Sequence, residues 1–190
     1  MLAKRGIKKL YISQALDSLK ALGCNKLVVQ STMLLDGVMT EMLRTEVGKV
    51  KNDFRAVSVV RPLLYSVDDC RTMIEMLTKS LLADKSVATK KSQVVLVGHG
   101  SDSPANAIYC QIDYLLKAEG KSSWHVGTIE GFPKRENVEQ QLKNSKNKNV
   151  ILVPLLYIAG NHQKEDIDGV WKTQLQTKGY HVDVFGKGIG

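Results

Sequence analysis

The stretch "NVILVPLLYIAGNHQKEDIDG", residues 149–169, decides the fold class of this chain. Its first ten residues are almost continuously apolar, which is typical of a strand buried on both faces of a parallel sheet. A short loop containing Gly160 follows, and then a charged segment opens a helical pattern. The stretch therefore predicts one strand–loop–helix unit, with His162 in the loop that follows the strand.

The same alternation continues outward from this stretch toward both ends of the chain. Further strands are predicted at "QVVLVG" (93–98), "SWHVGTIEG" (123–131) and "YHVDVFG" (180–186), and helices over 103–120, 134–146 and 163–179. Before them, helices over 12–23, 38–50 and 67–83 alternate with two shorter strands, "KLVVQS" (26–31) and "FRAVSVV" (54–60). Apolar strands separated by helices indicate parallel sheets covered on both faces, so we predict an α/β fold.

We expect two similar α/β halves with parallel sheets. The polar stretch "DKSVATKKS" (84–92) is the best linker candidate, which predicts domains at 1–88 and 89–190. The first half has two clear strands and the second has four, and a two-stranded parallel unit leaves apolar helix surface uncovered. We therefore expect the N-terminal half to be incomplete. Uncovered apolar surface of this kind tends to associate with other surfaces, so a homo-oligomer is one possible state of the chain.

Composition limits the compartments and the classes of protein. Hydrophobic residues make up 43% of the chain and charged residues 24%, which is ordinary for a soluble globular protein. No stretch approaches the roughly 20 apolar residues of a membrane span, and the basic start lacks the apolar core of a secretory signal. The three cysteines are widely spaced and form no CxxC pair. These features favour a cytoplasmic protein without a thiolate metal cage.

The net charge of +8 is compatible with simple solubility, with nucleic acid or with a polyanionic small molecule. No aromatic residues interleave with the basic clusters, so nucleic-acid binding is not predicted. The stretch "GHGSDS" (98–103) lacks the third glycine of a dinucleotide loop and the lysine of a P-loop. No G-x-S-x-G elbow is present either, so neither nucleotide binding nor a serine hydrolase is predicted.

Three chemically capable side chains follow three successive strands. His99 ends the strand "VVLVGHGS", Glu130 ends "VGTIEGFP", and His162 follows "LLYIAGNH", at separations of 31 and 32 residues. The carboxyl ends of parallel strands meet at one edge of a sheet, which is where ligands bind in open α/β folds. Each residue alone is compatible with a turn, a helix cap or a solvated surface. Together they predict a ligand-binding site at this edge of the sheet.

Glycines surround these three side chains. Gly98 and Gly100 flank His99, Gly131 follows Glu130, and Gly160 precedes His162 by two residues. Residues without a side chain let a bulky flat ligand approach the backbone and permit tight turns between strand and helix. We predict that these glycines, with Ser101, line the ligand site.

At these residues the sequence resembles the anaerobic-type cobalt chelatases, the sirohydrochlorin cobaltochelatases of cobalamin biosynthesis. The resemblance rests on "VGHGS", "GTIEGFP" and "VPLLYIAGNHQKEDIDG" followed by Trp171, with "LDSLKALGCNKLVVQS" and "RPLL" earlier. It implies two α/β halves that face one another across a tetrapyrrole, and ATP-independent insertion of Co²⁺. It also implies that His99, Glu130 and His162 are the catalytic and metal-binding residues. Sirohydrochlorin carries many carboxylates, so the resemblance implies a negatively charged substrate for this positively charged chain.

The sequence also departs from the family pattern. Met1 aligns inside the first half, so the family's first strand and helix are expected to be absent, as is the final helix. Met33 occupies a place where family members commonly have histidine. Some family members are exported, so an export signal stays open beside the cytoplasmic expectation. Two histidines and a glutamate do not distinguish Co²⁺ from Ni²⁺ or Fe²⁺, so a nickel or iron chelatase is one alternative. A non-catalytic carrier of metal or tetrapyrrole is another.

Overall fold

The computed structural model of the chain describes residues 10–84, 91–158, 160–186 and 188–189. Its strands are β1 (Lys26–Gln30), β2 (Ala56–Val60), β3 (Gln93–Gly98), β4 (Trp124–Thr128), β5 (Asn149–Leu155) and β6 (His181–Val184). Its α-helices are α1 (Ile12–Ala21), α2 (Val38–Lys49), α3 (Val67–Ala83), α4 (Ala107–Ala118), α5 (Arg135–Lys143) and α6 (Lys172–Thr177). Short 3₁₀ turns lie at Lys51–Asp53 and Pro104–Asn106, and a π-helix spans Gln163–Trp171.

The described strands form two parallel sheets, which confirms the predicted α/β fold class. One sheet has the order β1-β2 and the other the order β4-β3-β5-β6. In the larger sheet Gly98, the last residue of β3, pairs with Thr128 of β4 and with Leu155 of β5. The carboxyl ends of these three strands therefore reach the same edge of the sheet at the same level.

The chain divides into two compact units, Met1–Leu63 and Leu64–Gly190. Helix α3 belongs to the second unit, where Arg71 forms an ion pair with Glu119, the residue that follows α4. The side chains that α3 buries are Cys70, Met73, Ile74, Leu77 and Leu81. The boundary predicted between residues 88 and 89 falls within 85–90, outside the described residues, and stays a prediction.

The core of the second unit lies on both faces of its sheet. On one face Val95, Val97, Val150 and Leu152 pack with apolar side chains of α5, the π-helix and α6, including Trp171. Successive residues of a strand point to opposite faces, so the equally buried residues between them face the other side. The continuous apolar runs seen in the sequence reflect this burial on two sides.

The first unit has a smaller core. Leu16 of α1, Leu27 of β1, Val47 of α2 and Phe54 are buried together, with partly buried side chains of β1 and β2 packed against them. On the opposite face of the same strand, Val28 is 72% exposed. Within the described part of the chain, Val28 on the second face of this sheet is thus left largely uncovered.

Two elements differ from the sequence prediction. Strand β5 ends at Leu155 rather than continuing to residue 158, because its neighbour β3 ends at Gly98 and offers no further backbone partner. The helix predicted over 163–179 begins at Asn161, is π-helical over Gln163–Trp171 and is α-helical again from Lys172. No helix in the described part of the chain is both long and apolar enough to cross a membrane.

Candidate active site

The three residues predicted at the carboxyl edge follow β3, β4 and β5, His99 and Glu130 in loops and His162 in the first turn of the next helix. His99 follows the last residue of β3 directly, and Glu130 lies two residues beyond β4. His162 lies seven residues beyond β5, immediately before the π-helix. Backbone bonds extend the sheet past its strands, since Ile129 N donates to Gly98 O and Glu130 N donates to His99 O. The loops of His99 and Glu130 are thus held side by side.

The structure brings these three side chains together. The imidazole rings of His99 and His162 lie edge to face, with centroids 4.7 Å apart and an interplanar angle of 89°. The Nδ1 atom of His99 lies 3.9 Å from Oε2 of Glu130. The side chains of His99, Glu130 and His162 are 42%, 64% and 54% exposed, so they form an open site rather than a packed core.

The arrangement does not form a ready metal cage. Among the described residues no group of three or more His, Cys, Asp or Glu side chains is placed to hold a metal ion. The 3.9 Å contact between His99 and Glu130 is made by Nδ1, the ring nitrogen that faces the Gly100 carbonyl. Joint ligation through the other ring nitrogen therefore requires a rotation of these exposed side chains. Ligation by all three residues stays a prediction.

An oxygen atom lies at hydrogen-bond distance from Nδ1 of each histidine. Nδ1 of His99 lies 3.2 Å from the Gly100 carbonyl oxygen, and Nδ1 of His162 lies 2.8 Å from Oδ2 of Asp166. A carbonyl or an ionised carboxylate only accepts hydrogen bonds, so Nδ1 of each ring is the donor. The lone pair of a neutral ring is then on Nε2, which is the atom free to bind an ion or accept a proton.

At three of the glycines predicted to line the ligand site, a side chain would clash with neighbouring atoms of the protein. A Cβ added at Gly98 would lie 2.2 Å from Cε1 of Tyr109, so the buried tyrosine ring occupies that space. Gly100 has φ of +88°, and a Cβ there would lie 2.3 Å from the Gly131 backbone nitrogen. A Cβ at Gly131 would lie 2.2 Å from Oδ1 of Asn106. These glycines allow the two loops to approach one another, and their contact with a ligand stays a prediction.

The other two residues predicted to line the site differ from these glycines. No atom of the described residues lies within 4 Å of a Cβ built on Gly160. The Ser101 hydroxyl is engaged locally, because Ser101 Oγ accepts from Ser103 N at 3.1 Å. A ligand role for Ser101 through its hydroxyl therefore competes with this turn.

Sequence reasoning missed a residue that ties two loops of the site together. Asn106 Oδ1 accepts from Ser101 N at 3.0 Å, while Asn106 Nδ2 donates to Phe132 O at 2.7 Å. One carboxamide thus bridges the loop that carries His99 and the loop that carries Glu130. The residue lies in the 3₁₀ turn before α4, and no local pattern marks it, because both partners come from tertiary packing.

Asp166 was missed as well, although a signal for it was present. It lies four residues after His162 within a predicted helix, a spacing that places two side chains on one helix face. The loops of the site also expose apolar side chains, with Phe132 53%, Tyr157 41% and Ile158 73% exposed. Such side chains offer contact surface to a flat, partly apolar ligand.

The fold and the site define the class as an α/β protein with paired, exposed imidazoles at the carboxyl edge of a parallel sheet. A solved structure with the same fold is a multi-domain protein from Deinococcus radiodurans, described as structurally similar to chelatases with two additional novel domains. The match has a TM-score of 0.61 at 18% identity and covers 94% of this chain and 40% of that one. At this identity the likeness concerns the fold alone.

The sequence comparisons define the family. The model of the cobalt chelatase (CbiK) family matches residues 1–190, and the chain belongs to that family, which confirms the resemblance noted in the sequence. It is 27% identical over 181 residues to a sirohydrochlorin cobaltochelatase of Salmonella typhimurium, covering 93% of this chain and 67% of the relative. It is 30% identical over 158 residues to the sirohydrochlorin cobaltochelatase CbiKC of Nitratidesulfovibrio vulgaris, covering 80% of this chain and 54% of that relative. The chain therefore spans about two thirds and about half of the length of these curated relatives.

Proposed function

We propose that this chain catalyses the insertion of Co²⁺ into sirohydrochlorin or its reduced precursor, as in anaerobic cobalamin biosynthesis. The observation that carries the proposal is the His99–His162 pair, whose rings lie 4.7 Å apart in an exposed site with Glu130 beside them. Membership of the cobalt chelatase family and the names of the two relatives support the choice of metal and macrocycle.

The chemistry needs few groups, and the site contains suitable ones. One Co²⁺ enters the macrocycle and binds its four ring nitrogens, the two N–H bonds break, and two protons leave. Imidazole nitrogen is a good ligand for borderline ions such as Co²⁺, and a carboxylate is a weaker one. A mixed set of exposed imidazoles and a carboxylate therefore suits a site that must release its metal to the substrate.

The roles we assign follow from the geometry. His99 and His162 present the ion through Nε2 and accept the displaced protons, since imidazole exchanges protons near neutral pH. Glu130, close to His99 and 64% exposed, completes the coordination of the ion or takes one proton. The exposed apolar side chains Phe132 and Ile158 contact the macrocycle, and its carboxylates interact with the basic surface of a chain whose net charge is +8.

Two alternatives use the same site. One is a chelatase whose metal is Ni²⁺ or Fe²⁺, since histidine and carboxylate ligands accept all three ions. The other is a carrier that binds metal or tetrapyrrole without turnover. The cytoplasmic location and the homo-oligomer expected from the sequence stay predictions beside them.

An anaerobic absorbance assay distinguishes an enzyme from a carrier. Sirohydrochlorin and Co²⁺ are mixed in large excess over the chain, and the conversion of the tetrapyrrole spectrum is followed with time. We expect many equivalents of product per chain, at a rate proportional to protein concentration and above the uncatalysed rate. A spectral change that stops at one equivalent supports the carrier and rejects the enzyme. Parallel reactions with Ni²⁺ and Fe²⁺ rank the metals.

A further inference from the structure

His162 has a carboxylate partner that the predicted site did not include. Its Nδ1 lies 2.8 Å from Oδ2 of Asp166, and the side chains are 54% and 31% exposed. We propose that Asp166 is a positioning residue that holds His162 in the Nδ1–H tautomer and so presents Nε2 to the incoming metal. The assignment rests on the proposed function in one respect, namely that His162 binds the metal.

The backbone that follows Asp166 is anchored in the core. The next residue, Ile167, is fully buried, and Trp171 at the end of the π-helix is 3% exposed in the same core. Trp171 packs over Gly127 of β4, where an added Cβ would lie 2.4 Å from its ring. These contacts fix the rotation of the helix about its axis, and with it the direction in which Asp166 projects toward His162.

The spacing of His162 and Asp166 places their side chains on one face of the helix. His162 directly precedes the π-helix that contains Asp166, and residues four apart on a helix are neighbours on its surface. Short π segments occur often at functional sites, and here the segment begins directly after a proposed ligand.

The pairing is specific to Asp166 rather than general to the acids of this helix. Asp168, two residues further, forms an ion pair with Lys172 at 2.8 Å instead. For His99 the equivalent position is taken by the Gly100 carbonyl, which lies 3.2 Å from Nδ1. Both imidazoles of the site therefore carry an acceptor at Nδ1, but only that of His162 is a close carboxylate.

A carboxylate behind a metal-binding imidazole has a known physical effect. It fixes the tautomer and the ring orientation, and it makes the distal nitrogen more basic and a better ligand. Loss of such a partner typically weakens metal binding by about 10- to 100-fold. Asp166 would thus control how tightly His162 holds the ion without touching the ion itself.

Nitrogen-15 NMR of the full chain with labelled histidine tests the tautomer directly. The chain has four histidines, and the His162 ring is assigned by its absence from the spectrum of His162→Gln. At a pH above the imidazole range, long-range proton–nitrogen correlations distinguish Nδ1–H from Nε2–H. We compare Asp166→Ala with Asp168→Ala, which removes an equivalent acid from the same helix. Asp166→Asn serves as a second variant that keeps the size of the side chain.

We expect His162 to be Nδ1–H in the unaltered chain and in Asp168→Ala, and to shift toward Nε2–H in Asp166→Ala. A titration with Co²⁺ alone, followed by the visible absorption of the bound ion, should show affinity reduced about 10- to 100-fold in Asp166→Ala and unchanged in Asp168→Ala. The proposal is overturned if His162 keeps the Nδ1–H form in Asp166→Ala, or if both variants weaken Co²⁺ binding equally. If these shifts occur but sirohydrochlorin is never turned over, the positioning role stands and the proposed enzyme activity fails.

Discussion

The imidazole rings of His99 and His162 lie edge to face with centroids 4.7 Å apart, although they belong to loops that leave different strands. Strands β3 and β5 are neighbours in the sheet and end at the same level, which places the two loops side by side. Both side chains are about half exposed. Because these side chains are exposed, substituting them leaves the core intact. Their contribution to activity can therefore be measured in folded variants.

Replacement of either histidine should abolish most of the activity. We expect His99→Ala and His162→Ala each to lower the rate of metal insertion by about 100-fold or more, because each removes a ligand and a proton acceptor. The double variant should lose little beyond the single ones, since both side chains serve the same ion. Initial rates in the anaerobic assay and thermal unfolding of each variant provide the measurement.

The matched control for these variants is His181→Ala. His181 is exposed at the start of β6, at the opposite edge of the sheet from the site. It should retain full activity and stability. Rates in His99→Ala and His162→Ala that equal the rate in His181→Ala would refute the assignment of the site.

Glu130→Gln should lower activity while leaving the fold unchanged, because the side chain is 64% exposed and glutamine has almost the same shape. The carboxamide carries no charge and accepts no proton, so we expect a loss of about 100-fold. A higher KM for Co²⁺ identifies a ligand, and a lower kcat identifies a proton acceptor. Glu75→Gln, at an exposed glutamate of α3, should behave as the unaltered chain. If the two variants are equally active, Glu130 has no part in the reaction.

Gly100→Ala should disturb the site through the backbone. Its φ of +88° costs an alanine roughly 1–2 kcal/mol, and the added Cβ would also meet the Gly131 nitrogen at 2.3 Å. Gly179 has φ of +82° with nothing within 4 Å of an added Cβ, so Gly179→Ala isolates the first effect. We expect Gly100→Ala to be the less stable variant in denaturant unfolding and to lose activity, while Gly179→Ala remains active. Equal stability and activity in the two variants would contradict the close contact of the two loops.

The buried His125 should make stability depend on pH. Burial, assisted by the positive charge of Lys117, lowers the pKa of His125 below its ordinary value, although Gln141 and Asp113 act in the opposite direction. The folded chain therefore binds its proton less readily than the unfolded chain. The stabilisation is complete above about pH 6.5 and is lost as the pH falls toward the lower pKa of the folded state.

His125→Gln should reduce this dependence, because an amide does not titrate and the neighbours Gln93 and Gln141 can bond to it. The measurement is the free energy of unfolding at about pH 7.5 and about pH 5, compared within each protein. We expect a smaller difference in the variant, even if the variant is less stable at both values. An identical difference in the two proteins would show that His125 does not contribute to the acid sensitivity.

Local sequence patterns predicted most strands of the larger sheet. They did not predict where a strand ends when that end depends on the adjacent strand. The run 93–98 coincides with β3, because every residue in it is buried and apolar or bonded within the sheet. The run 149–158 contains β5 but exceeds it, since nothing in the sequence shows where the partner strand stops. The linker candidate at 84–92 is polar and follows α3, a helix of the unit that begins at Leu64, and the domain boundary placed in it stays a prediction.

The sequence by itself determined the alternation of strands and helices, the family, and the three positions at which His99, Glu130 and His162 follow strands. These depend on local periodicity and on short motifs, and both can be read from a short stretch of sequence without knowledge of its tertiary contacts. Only the tertiary structure decided that Asn106 bridges two loops, that Gly100 meets Gly131, and which nitrogen each imidazole presents. Most of those contacts join atoms from different strands and loops, so their distances are set by the packing of the sheet and its helices rather than by the preferences of neighbouring residues.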